Sequence, residues 1–208
     1  MIRLIIFDFS GTLAHYAAGE YRNVAEKLRE FNLPVSDEQV AKLEEKLPAY
    51  FSEAASWKEL TDKVVQKLGI VLEADRRESL EAFLERRLTC RLYEDAESVL
   101  SLPQDKAVLT LSGKFVVSSI PELRHFEVFS PEIAGAAKPD LKAFLAVLEK
   151  MQADPEEAVM VGDSLENDIL PALAIGMKAV LIDRENKVKV DDPAIIKIAS
   201  LKELKRFL

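Results

Sequence analysis

The sequence of 208 residues has little cysteine, histidine or glycine: one, two and seven residues, respectively. A single cysteine, Cys90, cannot form an internal disulfide bond, so a disulfide-stabilised scaffold is excluded and a reducing compartment, the cytoplasm, is expected. No apolar run approaches the roughly 18 to 20 residues of a membrane span, and the apolar start is too short for a signal peptide. We therefore predict a cytoplasmic protein with no membrane partner.

Positive charge is also scarce relative to negative charge. The chain has 28 Lys and Arg residues against 36 Asp and Glu residues, a net charge of −8. A nucleic-acid-binding surface requires basic residues gathered on one face, so we expect no nucleic-acid partner. The 49% of hydrophobic residues and 31% of charged residues are instead typical of a globular chain that buries its own core.

The apolar patterning changes abruptly along the first half of the chain. A near-continuous apolar run over residues 2–7 ends at Asp8, which is typical of a parallel strand covered on both faces. Over residues 21–88 the apolar residues recur every three or four positions, which predicts four amphipathic helices without an intervening strand. Ser36 and Ser56 are expected to cap the second and third of these helices.

From residue 95 onward, helical and strand patterns alternate, which predicts an α/β fold with a doubly wound parallel sheet. Because a lone first strand cannot form a sheet, residues 1–14 must join residues 92–208 in one core domain. Residues 15–91 then form a small helical domain inserted above the carboxyl edge of the sheet. The predicted strands are 107–111, 126–129, 158–161, 178–182 and one after 195, and the predicted helices are 95–102, 115–123, 140–151, one from about 167 and one at the C-terminus.

Two features that end predicted strands carry polar side chains. The segment FDFSGTL, residues 7–13, presents Asp8 at the sheet edge, with Gly11 allowing a sharp turn, although an aspartate there also suits turns and helix caps. The segment VLTLSG, residues 108–113, offers a hydroxyl and backbone amides that can bind a phosphoryl oxygen. Threonine is also common in strands and Ser-Gly in turns, so neither segment is decisive alone.

Two later features bring charge to the same edge. Lys138 precedes a predicted helix start, where the helix dipole disfavours a cation, so either an anion lies nearby or the lysine is simply solvated. The segment VMVGDSLEND, residues 159–168, places Asp163 at a strand end and Asp168 near the first helical turn. Two such carboxylates suit one hard cation such as Mg²⁺, with capping as the alternative role.

In order and spacing, the four features resemble the haloacid dehalogenase superfamily of hydrolases. That family has an aspartate nucleophile in a D-x-D-G-T segment, a Ser or Thr after the second core strand, a Lys before a helix and an acidic G-D-x-x-x-x-D segment. The match covers residues 1–14 and 95–182, and the helical insert resembles the family's C1-type cap. The resemblance implies a Rossmann-like core and a Mg²⁺-dependent hydrolase, first of all a phosphatase that acts on a small phosphorylated metabolite through an aspartyl-phosphate.

The resemblance also implies a role for individual residues. Asp8 is expected as the nucleophile and a metal ligand, and Lys138 as the group that stabilises Asp8 and the phosphoryl charge. Thr110 is preferred to Ser112 for the phosphate, because that choice puts an apolar residue, Val116, where the next helix needs one. The remaining expected residues are Ser10, through its carbonyl, with Asp163 and Asp168 for the metal, and Ser10, Gly11, Thr12 and Ser112 for the substrate.

The first motif departs from the family pattern at Ser10, where phosphatases usually have a second aspartate. A serine hydroxyl does not exchange protons near neutral pH, so it cannot protonate the leaving oxygen or activate water. The change favours leaving groups that depart unprotonated: acyl or aryl phosphates, a carbon–phosphorus bond or a halide. Since the family's 2-haloacid dehalogenases work without metal and lack the acidic fourth motif, Asp163 and Asp168 weigh against that alternative.

Two further alternatives stay open at this stage. A phosphonatase-like hydrolase would need a cap lysine for a Schiff base, although lysines on a helical cap are usually solvated. The chain can also be a catalytically weak member of the superfamily that binds a phosphorylated ligand. His15, Tyr16 and Trp57 lie near the insert, where an isolated histidine is usually exposed and a tryptophan usually packs. The candidate cap lysines are Lys46, Lys58, Lys63 and Lys67.

Overall fold

The computed structural model describes residues 1–17 and 35–208. Its core is a six-stranded sheet in which all adjacent pairs are parallel. Helices cover both faces, which confirms the predicted doubly wound α/β fold. From one edge of the sheet to the other, the strands are β5 (Glu127–Phe129), β4 (Asp105–Leu109), β1 (Leu4–Phe7), β6 (Ala158–Gly162), β7 (Lys178–Ile182) and β8 (Ile195–Ile198).

The first strand is apolar at every position because both of its faces are buried. Ile5 and Phe7 belong to one hydrophobic cluster, whereas Leu4 and Ile6 belong to a second cluster on the opposite face. All four side chains are at most 1% exposed. Since successive side chains of a strand point to opposite faces, this arrangement accounts for an apolar run in place of an alternating pattern.

The helical insert contains three described helices: α1 (Asp37–Glu53), α2 (Trp57–Leu68) and α3 (Ala74–Leu88). Ser36 caps α1 in a reciprocal capping box with Gln39, and the Ser56 hydroxyl accepts a hydrogen bond from the backbone N–H of Glu59. Both predicted caps are therefore confirmed. The first of the four predicted helices, near residues 21–31, lies outside the described residues.

A two-stranded ribbon that the sequence pattern did not reveal joins the insert to the sheet. In it, β2 (Ala14–Tyr16) pairs antiparallel with β3 (Cys90–Leu92). Strands of three residues are too short to show a periodic pattern. Both proposed domain boundaries, after residue 14 and before residue 92, fall in this ribbon, so the division into core and cap stays a prediction.

Several predicted helices are shorter than the apolar pattern indicated. The predicted helix 95–102 is a 3₁₀ turn, Glu94–Ala96, followed by α4 (Glu97–Leu100). The predicted helix 115–123 ends early because Ile120, which precedes a proline, is extended (φ −97°, ψ 106°). The remaining helical elements are α5 (Lys114–Ser118), α6 (Pro131–Ala134), α7 (Leu141–Met151), α8 (Leu170–Ala174), 3₁₀ turns at Pro121–Leu123, Pro155–Glu157 and Leu201–Phe207, and a π-helical turn at Leu165–Ile169.

Among the described helices, we find none with both the length and the apolar content that crossing a bilayer requires.

Candidate active site

The carboxyl ends of β1, β4 and β6 meet beneath the helical insert, at the edge where parallel α/β sheets bind ligands. A cavity of about 300 Å³ lies there, between the sheet and the insert. Its core side is lined by seven of the nine residues predicted from the sequence, and its opposite side by residues of α1 and α3. The seven are Asp8, Ser10, Thr110, Ser112, Lys138, Asp163 and Asp168.

Lys138 connects two of the predicted carboxylates. Its Nζ donates to Asp8 Oδ1 and to Asp168 Oδ1, each at 2.6 Å. The side chains are 2% exposed for Lys138, 9% for Asp8 and 1% for Asp168, so the ammonium and both carboxylates are largely removed from water. Asp8 Oδ2 is buried without a hydrogen-bond partner among the described residues, which leaves one oxygen of this carboxylate for a ligand.

Asp8, Asp163 and Asp168 form a compact acidic cluster. Each contributes an oxygen within 4.8 Å of an oxygen from the other two. Asp163 follows β6, and Asp168 lies in the π-helical turn, where its Oδ2 accepts a hydrogen bond from the Ser164 backbone N–H at 3.2 Å. Gly162 has no side chain where a Cβ would collide with Asp168, so the turn can bring this carboxylate close to the sheet.

The charges in this cluster are unbalanced. The Asp163 side chain remains solvent-exposed, but partial desolvation and then the charge of Asp8 raise its pKa to about 6. Burial and then the charge of Asp8 also raise the pKa of Asp168. Burial favours the neutral amine of Lys138, but Asp8 and Asp168 outweigh it and hold its pKa above the ordinary value. Three carboxylates face one ammonium, so the set of hard oxygen donors fits a divalent cation such as Mg²⁺ in both charge and ligand type.

The hydroxyl group of Thr110 lies directly after β4 at the same edge. Thr110 is 2% exposed, and its Oγ1 accepts a hydrogen bond from the Ser112 backbone N–H at 2.9 Å. Because the oxygen accepts this bond, its own proton remains available to donate to an anion in the cavity. Thr110 and Ser112 therefore reach the cavity together, and the geometry does not separate them.

Of the three residues predicted after Asp8, only Ser10 lines the cavity. Its Oγ is buried without a hydrogen-bond partner among the described residues. Burial raises the pKa of the neighbouring Cys90 thiol to about 12. Gly11 and the fully buried Thr12 do not contribute to the cavity lining, so their role in substrate binding stays a prediction.

Comparison with known proteins places this arrangement in a family. Residues 2–176 match the haloacid dehalogenase-like hydrolases. The chain belongs to this family.

Similar curated proteins include two phosphatases. The chain is 30% identical to a phosphoserine phosphatase from Thermus thermophilus over 62% of its own length and 55% of that protein. It is 28% identical to a phosphoglycolate phosphatase from Haemophilus influenzae over 86% of its length and 84% of that protein. The first of these matches spans only about half of the relative.

Solved structures of haloacid dehalogenase-like proteins cover nearly the whole chain. A phosphatase from Thermococcus onnurineus is 25% identical, with a TM-score of 0.64 over 99% of this chain and 97% of that one. A 2-haloacid dehalogenase from Pseudomonas syringae superposes with a TM-score of 0.70 over the same shares of the two chains. At 23% identity, the second structure supports the fold alone.

The cap lysines considered for a phosphonatase are not among the residues that line the cavity. Among its described lining residues, Lys138 is the only lysine. Lys63 forms ion pairs with Glu53 and Glu59.

The three residues noted near the insert have different environments. Tyr16 lines the cavity, while the His15 ring lies 4.9 Å from the ring of Tyr93. Trp57 packs against Phe51 and Phe115.

Arg184 contacts the segment that follows Asp8, and sequence reasoning missed it. Its guanidinium binds Asp95 through two hydrogen bonds of 2.8 and 3.0 Å and also donates to the Thr12 carbonyl at 2.7 Å. It stacks 3.8 Å from the centre of the Tyr93 ring. Although burial raises the pKa of Asp95, its hydrogen bonds to Arg184, Ser200 and Leu201 outweigh this effect and hold the pKa below its usual range. An isolated arginine after β7 gives no sequence signal.

Arg184→Met is expected to lower both stability and turnover. Asp95 would keep its charge at 10% exposure without its main partner, so we expect a loss of roughly 2 to 4 kcal/mol in the free energy of unfolding. Release of the Thr12 carbonyl should lower kcat roughly tenfold by displacing Asp8. Arg3→Met is the control, because Arg3 pairs with Glu157 at the surface. Equal denaturation midpoints for the two variants would contradict the assigned role.

Gly11→Ala is expected to weaken metal binding specifically. Gly11 has φ +92°, and a Cβ there would collide with the Asp163 carboxylate. Gly135 has φ +71° but open space around its Cβ position, so Gly135→Ala carries the backbone strain without that collision. Gly135→Ala should lose roughly 1 kcal/mol of stability through backbone strain, and Gly11→Ala should lose more because of the added collision. Only Gly11→Ala should raise the half-saturating Mg²⁺ concentration, by about 10- to 100-fold. Equal Mg²⁺ titration curves would argue against Asp163 as a ligand.

Proposed function

We propose that the protein is a Mg²⁺-dependent phosphatase that acts on a small phosphorylated metabolite through an aspartyl-phosphate on Asp8. The observation that carries this proposal is the environment of Asp8 in the cavity. One oxygen of its carboxylate is held by Lys138, and the other is free of hydrogen bonds to described residues. Asp163, Asp168 and Thr110 line the same cavity.

Mg²⁺ would be held by Asp8, Asp163, Asp168 and the Ser10 carbonyl. When bound, it supplies positive charge that offsets the repulsion between an anionic phosphate and the Asp8 carboxylate. Lys138 alone does not balance the negative charge of the three carboxylates, so a bound cation would stabilise the cluster.

The chain's own residues then perform a two-step displacement. Lys138 orients Asp8, and Thr110 and Ser112 hold phosphoryl oxygens in line with it. Asp8 forms a bond to phosphorus as the bond to the leaving oxygen breaks, and that oxygen departs with the electron pair. Water then attacks the phosphorus, which releases phosphate and restores the Asp8 carboxylate. Lys138 and the Thr110 hydroxyl stabilise the charge of the transferred group in both steps.

The alternatives lack a supporting observation in the described residues. A 2-haloacid dehalogenase needs no acidic cluster, and a phosphonatase needs a cap lysine in the cavity lining. Because position 10 is a serine and not an acidic residue, a catalytically weak protein that binds a phosphorylated ligand is the competing hypothesis.

Two further expectations form part of the proposal. The free, buried Cys90 supports a cytoplasmic location. The chain divides into a core of residues 1–14 and 92–208 and a cap of residues 15–91.

The decisive test is hydrolysis of p-nitrophenyl phosphate with and without Mg²⁺ after treatment with a chelator. We expect turnover only with Mg²⁺. Asp163→Asn should raise the half-saturating Mg²⁺ concentration by about 10- to 100-fold. Glu166→Gln, an exposed change in the same segment, is the matched control and should leave it unchanged. Binding of inorganic phosphate without turnover of any phosphate ester would identify the competing binding protein.

A further inference from the structure

Much of the cavity lining away from the acidic cluster is apolar, although Tyr16 also contributes to it. Leu47 and Phe51, one turn apart on α1, face the cavity together with Leu88 at the end of α3 and Leu111 after β4; we call these four residues the apolar wall. The first three are at most 4% exposed. The leaving group of a phosphate held at Asp8 would therefore contact hydrocarbon.

Phe51 is fixed in the apolar wall by an aromatic cluster that joins the cap to the core. Its ring lies 6.1 Å from the ring of Trp57, nearly parallel to it, and 6.0 Å from the ring of Phe115, edge to face. Trp57 and Phe115 are themselves 4.7 Å apart. Since aromatic contacts of this kind hold ring orientation, the wall presents a pre-formed surface for a flat group.

The described lining offers no free cation for a charged leaving group. Lys138 is its only cationic residue, and both Asp8 and Asp168 already engage it. A carboxylate on the leaving group would lie against the apolar wall without a counter-charge, which is unfavourable because the carboxylate would lose part of its hydration there. The cavity of about 300 Å³ is also at the small end of the range for ligand pockets.

Ser10 limits which leaving groups can depart, and this argument is independent of the apolar wall. Its hydroxyl cannot supply a proton near neutral pH, so the oxygen departs as an anion. A phenol ionises near pH 10, as tyrosine does, whereas an aliphatic alcohol is about as weak an acid as water, with a pKa near 15.7. Departure without a proton is therefore feasible for an aryl oxygen and slow for an alkyl oxygen.

We propose that this site selects aryl phosphates, phosphate monoesters of an uncharged phenol, over aliphatic phosphates that carry a carboxylate. The ring would lie against the apolar wall, and the P–O bond to the phenol would break with the electron pair leaving on the phenolate oxygen, which takes its proton from water. This inference rests on the proposed phosphatase function and adds the substrate class. It differs from the substrates named for the relatives, phosphoserine and phosphoglycolate.

The first test compares kcat/KM at saturating Mg²⁺ for phenyl phosphate, n-butyl phosphate, phosphoserine, phosphoglycolate and acetyl phosphate. We expect phenyl phosphate to exceed n-butyl phosphate by about 10²- to 10⁴-fold, the contribution that a missing acid makes. Ser10→Asp should narrow that ratio by raising the rate with n-butyl phosphate. Phosphoserine or phosphoglycolate turned over as efficiently as phenyl phosphate would overturn the inference but leave the phosphatase proposal standing, whereas no turnover of any ester would overturn both.

The second test isolates the apolar wall from the chemistry. Phenylphosphonate and methylphosphonate, which cannot be hydrolysed at phosphorus in this way, are titrated into the protein with Mg²⁺ by calorimetry. We expect phenylphosphonate to bind at least about tenfold more tightly, and Phe51→Ala to remove most of that preference. Phe83→Ala, the same truncation outside the cavity lining, is the control. Equal affinities for the two phosphonates, or equal effects of the two truncations, would overturn the role of the wall.

Discussion

Asp8→Asn is expected to reduce kcat for p-nitrophenyl phosphate by roughly 10⁴- to 10⁶-fold, the range seen when a covalent nucleophile is removed. Asparagine has nearly the same shape, so the side chain can still occupy the buried site beside Lys138. Its amide cannot form the acyl-phosphate, however, and it carries no charge to pair with the ammonium. The measurement is steady-state turnover at saturating Mg²⁺, with folding checked by circular dichroism.

Trapping of the covalent intermediate distinguishes loss of the nucleophile from general disruption of the active site. Acid quenching of the wild-type protein during turnover should trap phosphate on the peptide that contains Asp8, and the Asp8→Asn protein should trap none. The control is Asp105→Asn, since Asp105 lies at the opposite end of the sheet, where β4 begins. Turnover by Asp8→Asn within tenfold of the wild-type rate would contradict the assignment of Asp8 as the nucleophile.

The assembly of the site could be anticipated because parallel strands bring their carboxyl ends to one edge. Asp8 and Asp163 follow strands that are direct neighbours in the sheet, β1 and β6, so their approach follows from strand order alone. Lys138 reaches Asp8 across 130 positions of sequence. Its place just before a helix start left two interpretations open, a nearby anion or a solvated lysine, and the resemblance to the family decided between them.

The supporting contacts could not be anticipated in the same way. The pair between Arg184 and Asp95 joins two segments that are 89 positions apart and carry no motif. Its position depends on how β7 and the segment after β3 approach each other, which no local pattern encodes. The β2–β3 ribbon was missed for a related reason: each strand is stabilised by its partner rather than by its own pattern.

The apolar wall could be predicted only in part from the sequence. Leu47, Phe51 and Leu88 match the helical periodicity, which predicts only that they face inward. Whether an inward residue packs in the cap interior or lines a cavity depends on the position of the cap over the sheet. The aromatic contact between Phe51 and Phe115 fixes that position, and it joins residues from different domains of the proposed division.

Lys138→Met should have the largest effect on stability of any single change in this site. Removal of the ammonium leaves Asp8, Asp163 and Asp168 close together with no described cation in direct contact. Breaking a buried ion pair in this way costs roughly 3 to 5 kcal/mol, and the loss should be greatest without Mg²⁺. Chemical denaturation with and without Mg²⁺ measures it, with Lys142→Met, an exposed change in the next helix, as the control.

A second substitution tests whether charge imbalance is the cause. Adding Asp168→Asn to Lys138→Met removes one of the unpaired carboxylates, so the double variant should regain roughly 1 to 3 kcal/mol in Mg²⁺-free buffer. Activity should not return, because the phosphoryl group has lost the cation beside Asp8 and the metal has lost a ligand. If the two substitutions destabilise additively instead, the destabilisation comes from lost packing, and the view of Lys138 as the counter-charge of the cluster is wrong.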